Sequence, residues 1–134
     1  MNPKTALLLI AHGSRRPEAN AELVAIAAAL RARGHSFVQP SYLELAEPDI
    51  ATGGELCAAA GATAVVMVPF FLSPGRHVVE DLSAARDALS RLFPEVAFTL
   101  AGALGNHPLI LDALEDRVRD ATITSSRQPG SRPS

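Results

Sequence analysis

The sequence predicts an α/β protein, a three-layer α/β/α sandwich built on a four-stranded parallel sheet, and three observations point there. Two short runs, Ala6 to Ala11 and Ala64 to Leu72, are apolar without alternation, as strands buried on both faces of a parallel sheet are. Gly34, Gly61, Pro94 and Gly102 break the chain at intervals that suit a strand followed by a helix, repeated four times. Between those breaks apolar residues recur at helical spacing. Strands alternating with helices imply right-handed crossovers that cover both faces of one sheet.

Taken in order, Ala6 to Ala11 is the first strand. Pro17 to Arg33 is the first helix: Pro17 sits where a first-turn proline is tolerated, Leu23, Ile26, Ala27 and Leu30 form its apolar stripe, and Gly34 ends it. Phe37 to Leu45 is a more polar strand containing Pro40, which cannot donate to a ladder, so it belongs at an edge or carries a bulge. Pro48 opens a second helix that closes at Gly61. Ala64 to Leu72 is the third strand and, with the first, should be central. Val78, Leu82, Ala85, Leu89 and Leu92 mark a third helix stopped by Pro94, and Val96 to Ala101 is the fourth strand. The fourth helix begins near Pro108 and runs through Ile110, Leu114 and Val118. Residues 1–121 are expected to form a single domain. Residues 122–134, "TITSSRQPGSRPS", are polar and rich in serine and proline with little to bury, and are expected to be a flexible C-terminal tail. The arrangement expected is flavodoxin-like.

Composition narrows the function classes. The length of 134 residues allows one domain and no second, since domains commonly run ~100–150 residues. Twelve basic against fourteen acidic residues leave a net charge of −2 with no basic stripe, so nucleic acid is not an expected partner. The longest apolar runs fall short of the ~20 residues a membrane helix needs, and no charged leader precedes them, so the expected setting is cytoplasmic, with no membrane partner. Cys57 is the one cysteine. Alone, it builds neither a disulfide nor a thiolate metal site and reads as a small apolar filler.

In open α/β sheets ligands bind beyond the carboxyl ends of the strands. That rule gathers His12, Gly13 and Ser14 after strand one, Glu44 at the end of strand two, Ser73 to His77 after strand three and His107 after strand four. His35 falls in a helix-to-strand connection at the opposite rim and serves as a control. Rigid strands would hold His12 and His77 in place, while Gly13 and Gly75 would permit tight loops. Histidine nitrogens with a glutamate oxygen suit divalent cobalt, nickel, iron or zinc. No His-x-x-x-His or Cys-x-x-Cys pair is present, so spacing alone does not establish a metal site.

At these residues the sequence resembles the short-type sirohydrochlorin chelatases, class II metal chelatases that insert Co²⁺, Fe²⁺ or Ni²⁺ into a tetrapyrrole. The matching pieces are "LLLIAHGSRRPEAN", "YLELAEPDI", "VVMVPFFLSPGRHVVEDL" and "GALGNHPLILDAL", which with their spacers cover about Ala6 to Val118. The resemblance implies a flavodoxin-like chelatase half in which His12 and His77 are the metal-binding and catalytic pair and Glu44 an assisting acid. It implies sirohydrochlorin as substrate, a divalent ion as co-substrate with Co²⁺ the first choice, no organic cofactor, and a homodimer, because longer relatives carry two copies of the unit.

The residue chemistry agrees. Two imidazoles and at most one carboxylate leave coordination positions open, as handing an ion over requires. Insertion expels two pyrrole protons, and an imidazole, titrating in water at about 6.5, can accept one. His77 is the first choice as base and His12 as ligand, with sharing of both tasks left open. Phe70 and Phe71 either line a slot for the macrocycle or belong to the core. Arg15, Arg16 and Arg76 either hold the substrate's carboxylates or are solvated loop charges. Ser14 either donates to the substrate or shapes its loop, and His107 in "GNHP" is expected to cap the last helix.

Three rival readings remain. "AHGSRRPEAN" echoes the Arg-His-Gly motif of histidine phosphatases, but position 11 is alanine where that motif needs arginine. A nucleotide or flavin binder would need a G-x-G-x-x-G after strand one, which is lacking. A non-catalytic metal or tetrapyrrole carrier would use the same two histidines, and only turnover separates it from an enzyme.

Overall fold

The computed structural model of the protein describes residues 4–127. They divide into two compact units, one ending at Ala103 and the other beginning at Leu104. The first holds the whole sheet: β1 (Thr5–Ala11), α1 (Pro17–Ala32), β2 (Val38–Tyr42), α2 (Ile50–Ala59), β3 (Ala64–Pro69), α3 (Arg76–Leu92) and β4 (Ala97–Leu100). The second holds α4 (Pro108–Arg127).

The four strands are parallel in the order β2-β1-β3-β4. The apolar runs β1 and β3 are central, as the sequence predicts, with Leu8 and Met67 paired across the middle and neither exposed. β2 is an edge strand. Its Pro40 lies opposite Leu9, and the edge position lets the ladder tolerate its missing donor. Expected and observed strand ends agree within a residue or two except in β3 and β2. β3 stops at Pro69, not Leu72: the Phe70 N–H still reaches the Ile10 carbonyl at 2.7 Å, and the chain then leaves the sheet. β2 stops at Tyr42, so Glu44 stands in the turn after the strand and does not end it.

The chain steps from β1 outward to β2, then returns past β1 to β3. Right-handed crossovers put α1 on one face and α2 and α3 on the other. The two apolar clusters follow this division. Leu23 and Ala27 of α1 close over Leu9, Val38 and Tyr42 on one side. Ile50 and Cys57 of α2 and Leu82 and Leu89 of α3 close over Leu8, Ile10, Val65 and Met67 on the other. Each fully buried leucine or isoleucine contributes roughly 1.5–3 kcal/mol.

Two glycines inside α2 cost helix propensity, about 1 kcal/mol each against alanine. They offset this by close approach. A Cβ on Gly53 would stand 2.8 Å from Leu8 Cδ1, and one on Gly54 would stand 2.5 Å from Leu89 Cδ2, so α2 presses on both the sheet and α3. The helix begins at Ile50, not at Pro48, because the Asp49 carboxylate caps it by accepting the Thr52 N–H at 2.8 Å. That bond pulls the Asp49 carboxyl below its ordinary value. In α3, Leu82 and Leu89 are buried as expected, whereas Leu92 at the helix end is exposed.

In the second unit α4 runs on past Ala121 to Arg127, so residues 122–127 are helical and not the tail expected from the sequence. The Thr122 hydroxyl donates to the Val118 carbonyl at 2.9 Å, folding back onto the helix where it could have competed with it. The first helix-breaking pair, Pro129 and Gly130, comes later. The expected tail over 128–134 lies outside the described residues. Leu114 and Val118, through which the helix was expected to run, are more than half exposed along with Leu111.

Candidate functional site

β1 and β3 are neighbours, and the strand order reverses between them, because the chain leaves β1 toward β2 and comes back to the far side at β3. Loops leaving the carboxyl ends of two such strands diverge to opposite faces and open a crevice. His12 follows β1 directly. Two ladder bonds continue beyond β2, from the Leu43 N–H to the Ala11 carbonyl and from the Glu44 N–H to the His12 carbonyl, both 3.0 Å. They carry Glu44 alongside His12 although both have left the sheet.

Gly13 makes that approach possible. Its φ is +99°, a region closed to most side chains, and a Cβ there would stand 1.8 Å from the Glu44 carbonyl oxygen. The expectation for Gly13 therefore holds, but not for Gly75. Gly75 has φ −73° and open space around a Cβ, so no steric constraint demands glycine there.

The result is a side-chain couple: His12 Nε2 donates to Glu44 Oε1 at 2.8 Å, with the two side chains 56% and 58% exposed. An ion pair this open contributes ~0–1 kcal/mol, so it can rearrange at little cost. Its spacing also suits a cation. Two ligand atoms each about 2.1 Å from an ion and at right angles are about 3.0 Å apart, so Nε2 and Oε1 can pass from sharing a proton to sharing a metal with little movement. Among the described residues no three histidine, cysteine, aspartate or glutamate side chains group so as to hold an ion.

His77 does not join such a group. It is exposed in the first turn of α3, one residue into the helix and not in the loop before it, and its ring has no hydrogen-bond partner among the described residues. His35 is exposed at the α1–β2 connection on the opposite rim, where the sequence placed it. His107 caps α4: its Nδ1 accepts the Leu109 N–H at 3.1 Å, which requires that nitrogen to be unprotonated.

The remaining candidates separate by environment. Ser14 shapes its loop, its hydroxyl accepting the Arg16 N–H at 3.0 Å. Arg16 and Arg76 reach their own helices' glutamates, Glu18 at 3.3 Å and Glu80 at 3.6 Å, in open pairs, and the exposed Arg15 has no side-chain partner among the described residues. Phe71 packs on the core cluster under α2 and α3, whereas Phe70 is partly exposed, with Leu72 and Leu45 more so. Leu45 adopts φ 66°, an uncommon value for a non-glycine residue, in the turn that carries Glu44.

Sequence reasoning missed Asn20 and Tyr42. The Tyr42 hydroxyl donates to the Asn20 carbonyl at 2.8 Å, and burial pushes the phenol above its ordinary value, which keeps it a donor. This bond joins residues 22 apart and leaves no periodic trace in the sequence.

Two concavities of about 280 and 360 Å³ lie elsewhere, one lined by Lys4, Ser36 and Phe37 and the other by Gly61, Leu92 and Glu95. Both are at the amino ends of the strands, where helices turn back into the sheet. Neither holds a histidine. The couple at the carboxyl rim is therefore the better site on chemistry, though it is the more open.

The family model for CbiX matches residues 6–121. The chloroplastic sirohydrochlorin ferrochelatase of Arabidopsis thaliana is 36% identical over 84% of this chain and 51% of its own length. The sirohydrochlorin cobaltochelatase of Methanosarcina barkeri is 33% identical over 90% of this chain and 99% of its own. The crystal structure of the sirohydrochlorin chelatase SirB from Bacillus subtilis subspecies spizizenii, in complex with cobalt, superposes with a TM-score of 0.79 at 30% identity, over 87% of this chain and 50% of that one. The chain thus spans about half the length of several relatives it matches and nearly all of the archaeal one.

Proposed function

Because the chain belongs to the CbiX family, we propose that it is a sirohydrochlorin chelatase, inserting a divalent metal ion into that tetrapyrrole at the carboxyl rim of the sheet. The observation that carries this reading is the exposed His12–Glu44 couple beside the reversal of strand order. Its supports are the relatives' names, which include both ferrochelatases and cobaltochelatases. Co²⁺ is the first choice of ion, since the relative of matching length is named a cobaltochelatase. Fe²⁺ and Ni²⁺ are the alternatives, and no organic cofactor takes part.

In this mechanism His12 takes the ion with Glu44 beside it, and His77, which stands outside that couple in the structure, is recruited as the second imidazole. Two or three protein ligands leave positions for the pyrrole nitrogens, so the ion transfers by ligand exchange. The ion forms bonds to the macrocycle as two N–H protons leave. An imidazole freed from the metal accepts one of them, His77 being the first choice, and the Glu44 carboxylate relays protons to water. Phe70, partly exposed after β3, offers apolar surface for the macrocycle, while Phe71 packs on the core. Arg15, Arg16 and Arg76 answer the substrate's carboxylates, their existing pairs being open enough to exchange, and Ser14 orders the loop between.

Residues 1–121 act as one chelatase domain, which the extent of the family match supports. The working form is a homodimer. The exposed Leu111, Leu114 and Val118 support it. No described helix is long and apolar enough to cross a membrane, and the proposed setting is cytoplasmic.

The test is to mix the protein anaerobically with sirohydrochlorin and Co²⁺ and follow visible absorbance. Many product molecules per protein, abolished in His12→Ala and His77→Ala but retained in His35→Ala, is the expected result. A single equivalent would make the protein a carrier, and loss of activity in the His35 variant alone would overturn the sorting by rim.

A further inference from the structure

The loop that carries His12 is held by a side chain from the helix that follows it. Asn20, in the first turns of α1, accepts the Ser14 N–H on Oδ1 at 3.0 Å and donates from Nδ2 to the Ser14 carbonyl at 2.7 Å. This reciprocal pair fixes the amide's orientation, because a flipped amide would set nitrogen against N–H and oxygen against carbonyl. The Asn20 carbonyl in turn accepts the hydroxyl of Tyr42, the buried last residue of β2. A chain of three hydrogen bonds therefore runs from the sheet edge through Asn20 to the peptide two residues beyond His12. From the other side, the Glu44 N–H holds the His12 carbonyl.

Between those anchors the loop has little freedom left. Without the clamp, Gly13 at φ +99° would be the hinge about which it could swing, and the imidazole would swing with it. A ligand must be held within roughly 0.5 Å and 10–20° of its working geometry. The His12 ring, more than half exposed, has little packing of its own to do this.

We infer that Asn20 is a positioning residue for His12: by bonding both backbone groups of Ser14 it sets where the imidazole stands and, through it, the affinity for the transferred ion. The inference rests on the proposed function, in which His12 is a ligand. Asn20 itself touches neither ion nor macrocycle.

The test is a double-mutant cycle on Co²⁺ affinity by titration calorimetry, with Asn20→Ala, His12→Ala and the double variant, each confirmed folded by its melting curve. Supporting groups around metal ligands typically change affinity ~10–100-fold when removed. Asn20→Ala should weaken Co²⁺ binding about tenfold with His12 present, and by nothing further in the His12→Ala background. Equal losses in both backgrounds, or no loss in either, would overturn the positioning role. If His12→Ala alone binds Co²⁺ as the parent does, the assignment of His12 as ligand fails, and the role of Asn20 falls with it. Should Asn20→Ala not fold, Tyr42→Phe carries the cycle. It keeps the buried ring, removes the bond to the Asn20 carbonyl, and should cost about threefold, again only with His12 present.

Discussion

Replacing Gly13 by alanine tests the origin of the His12–Glu44 couple. The new Cβ would meet the Glu44 carbonyl oxygen at 1.8 Å, whereas real Cβ atoms essentially never come within 3.0 Å of such an atom, so one backbone must retreat by about 1.2 Å. That retreat breaks the 3.0 Å bond from the Glu44 N–H to the His12 carbonyl. A side chain at φ +99° adds about 1–2 kcal/mol of backbone strain. With about 1 kcal/mol for the lost hydrogen bond, Gly13→Ala should cost about 2–3 kcal/mol. In a domain of this size that lowers Tm by about 6–15 °C. Gly34→Ala separates the terms, since Gly34 has φ +110° but nothing within 4 Å of a Cβ. It should show the strain alone, about 1–2 kcal/mol, with full metal insertion. Thermal melts followed by circular dichroism, paired with the absorbance assay, read both quantities. If Gly13→Ala matched Gly34→Ala in stability and retained insertion, close approach of the two loops would not be what sets the couple.

Asp49→Ala should cost about 1 kcal/mol at neutral pH, the value of an N-cap. Because the Thr52 N–H lowers the folded pKa of Asp49, this stability is present above the unfolded carboxylate value, about 3.9, and lost as pH falls through the lower folded value. Urea unfolding of parent and variant should differ at pH 7 and converge in strong acid; a difference constant with pH would refute the cap. Cys57 is fully buried, and burial pushes its thiol up to about 11, so it should resist a disulfide reagent at about pH 8 and react only on unfolding. Rapid labelling of the native protein would contradict its place beneath α2.

What could be read from the sequence depended on whether a feature leaves a local pattern. The apolar runs of β1 and β3 and the proline in β2 each constrain their own segment, so central and edge strands were legible before any pairing was known. The stripe Leu23, Ile26, Ala27 and Leu30 placed α1 within a residue. The capping role of His107 could be read because a cap and its helix adjoin. Features made by meeting of distant segments were hidden. The 2.8 Å approach of His12 to Glu44 depends on two ladder bonds that outlast their strands, and Asn20 looked like any polar helix residue. Gly13 and Gly75 looked alike, yet only Gly13 faces a backbone oxygen. The polar run after Ala121 was misread because weak helix formers can extend a helix already nucleated by α4, where alone they would not start one.

Two imidazoles are proposed to share one ion at the carboxyl rim. X-ray absorption of the Co²⁺-loaded protein counts imidazole ligands directly through their outer-shell scattering. Two are expected in the parent protein and one in either His12→Ala or His77→Ala. A count that stays unchanged in both variants would mean that the ion sits elsewhere.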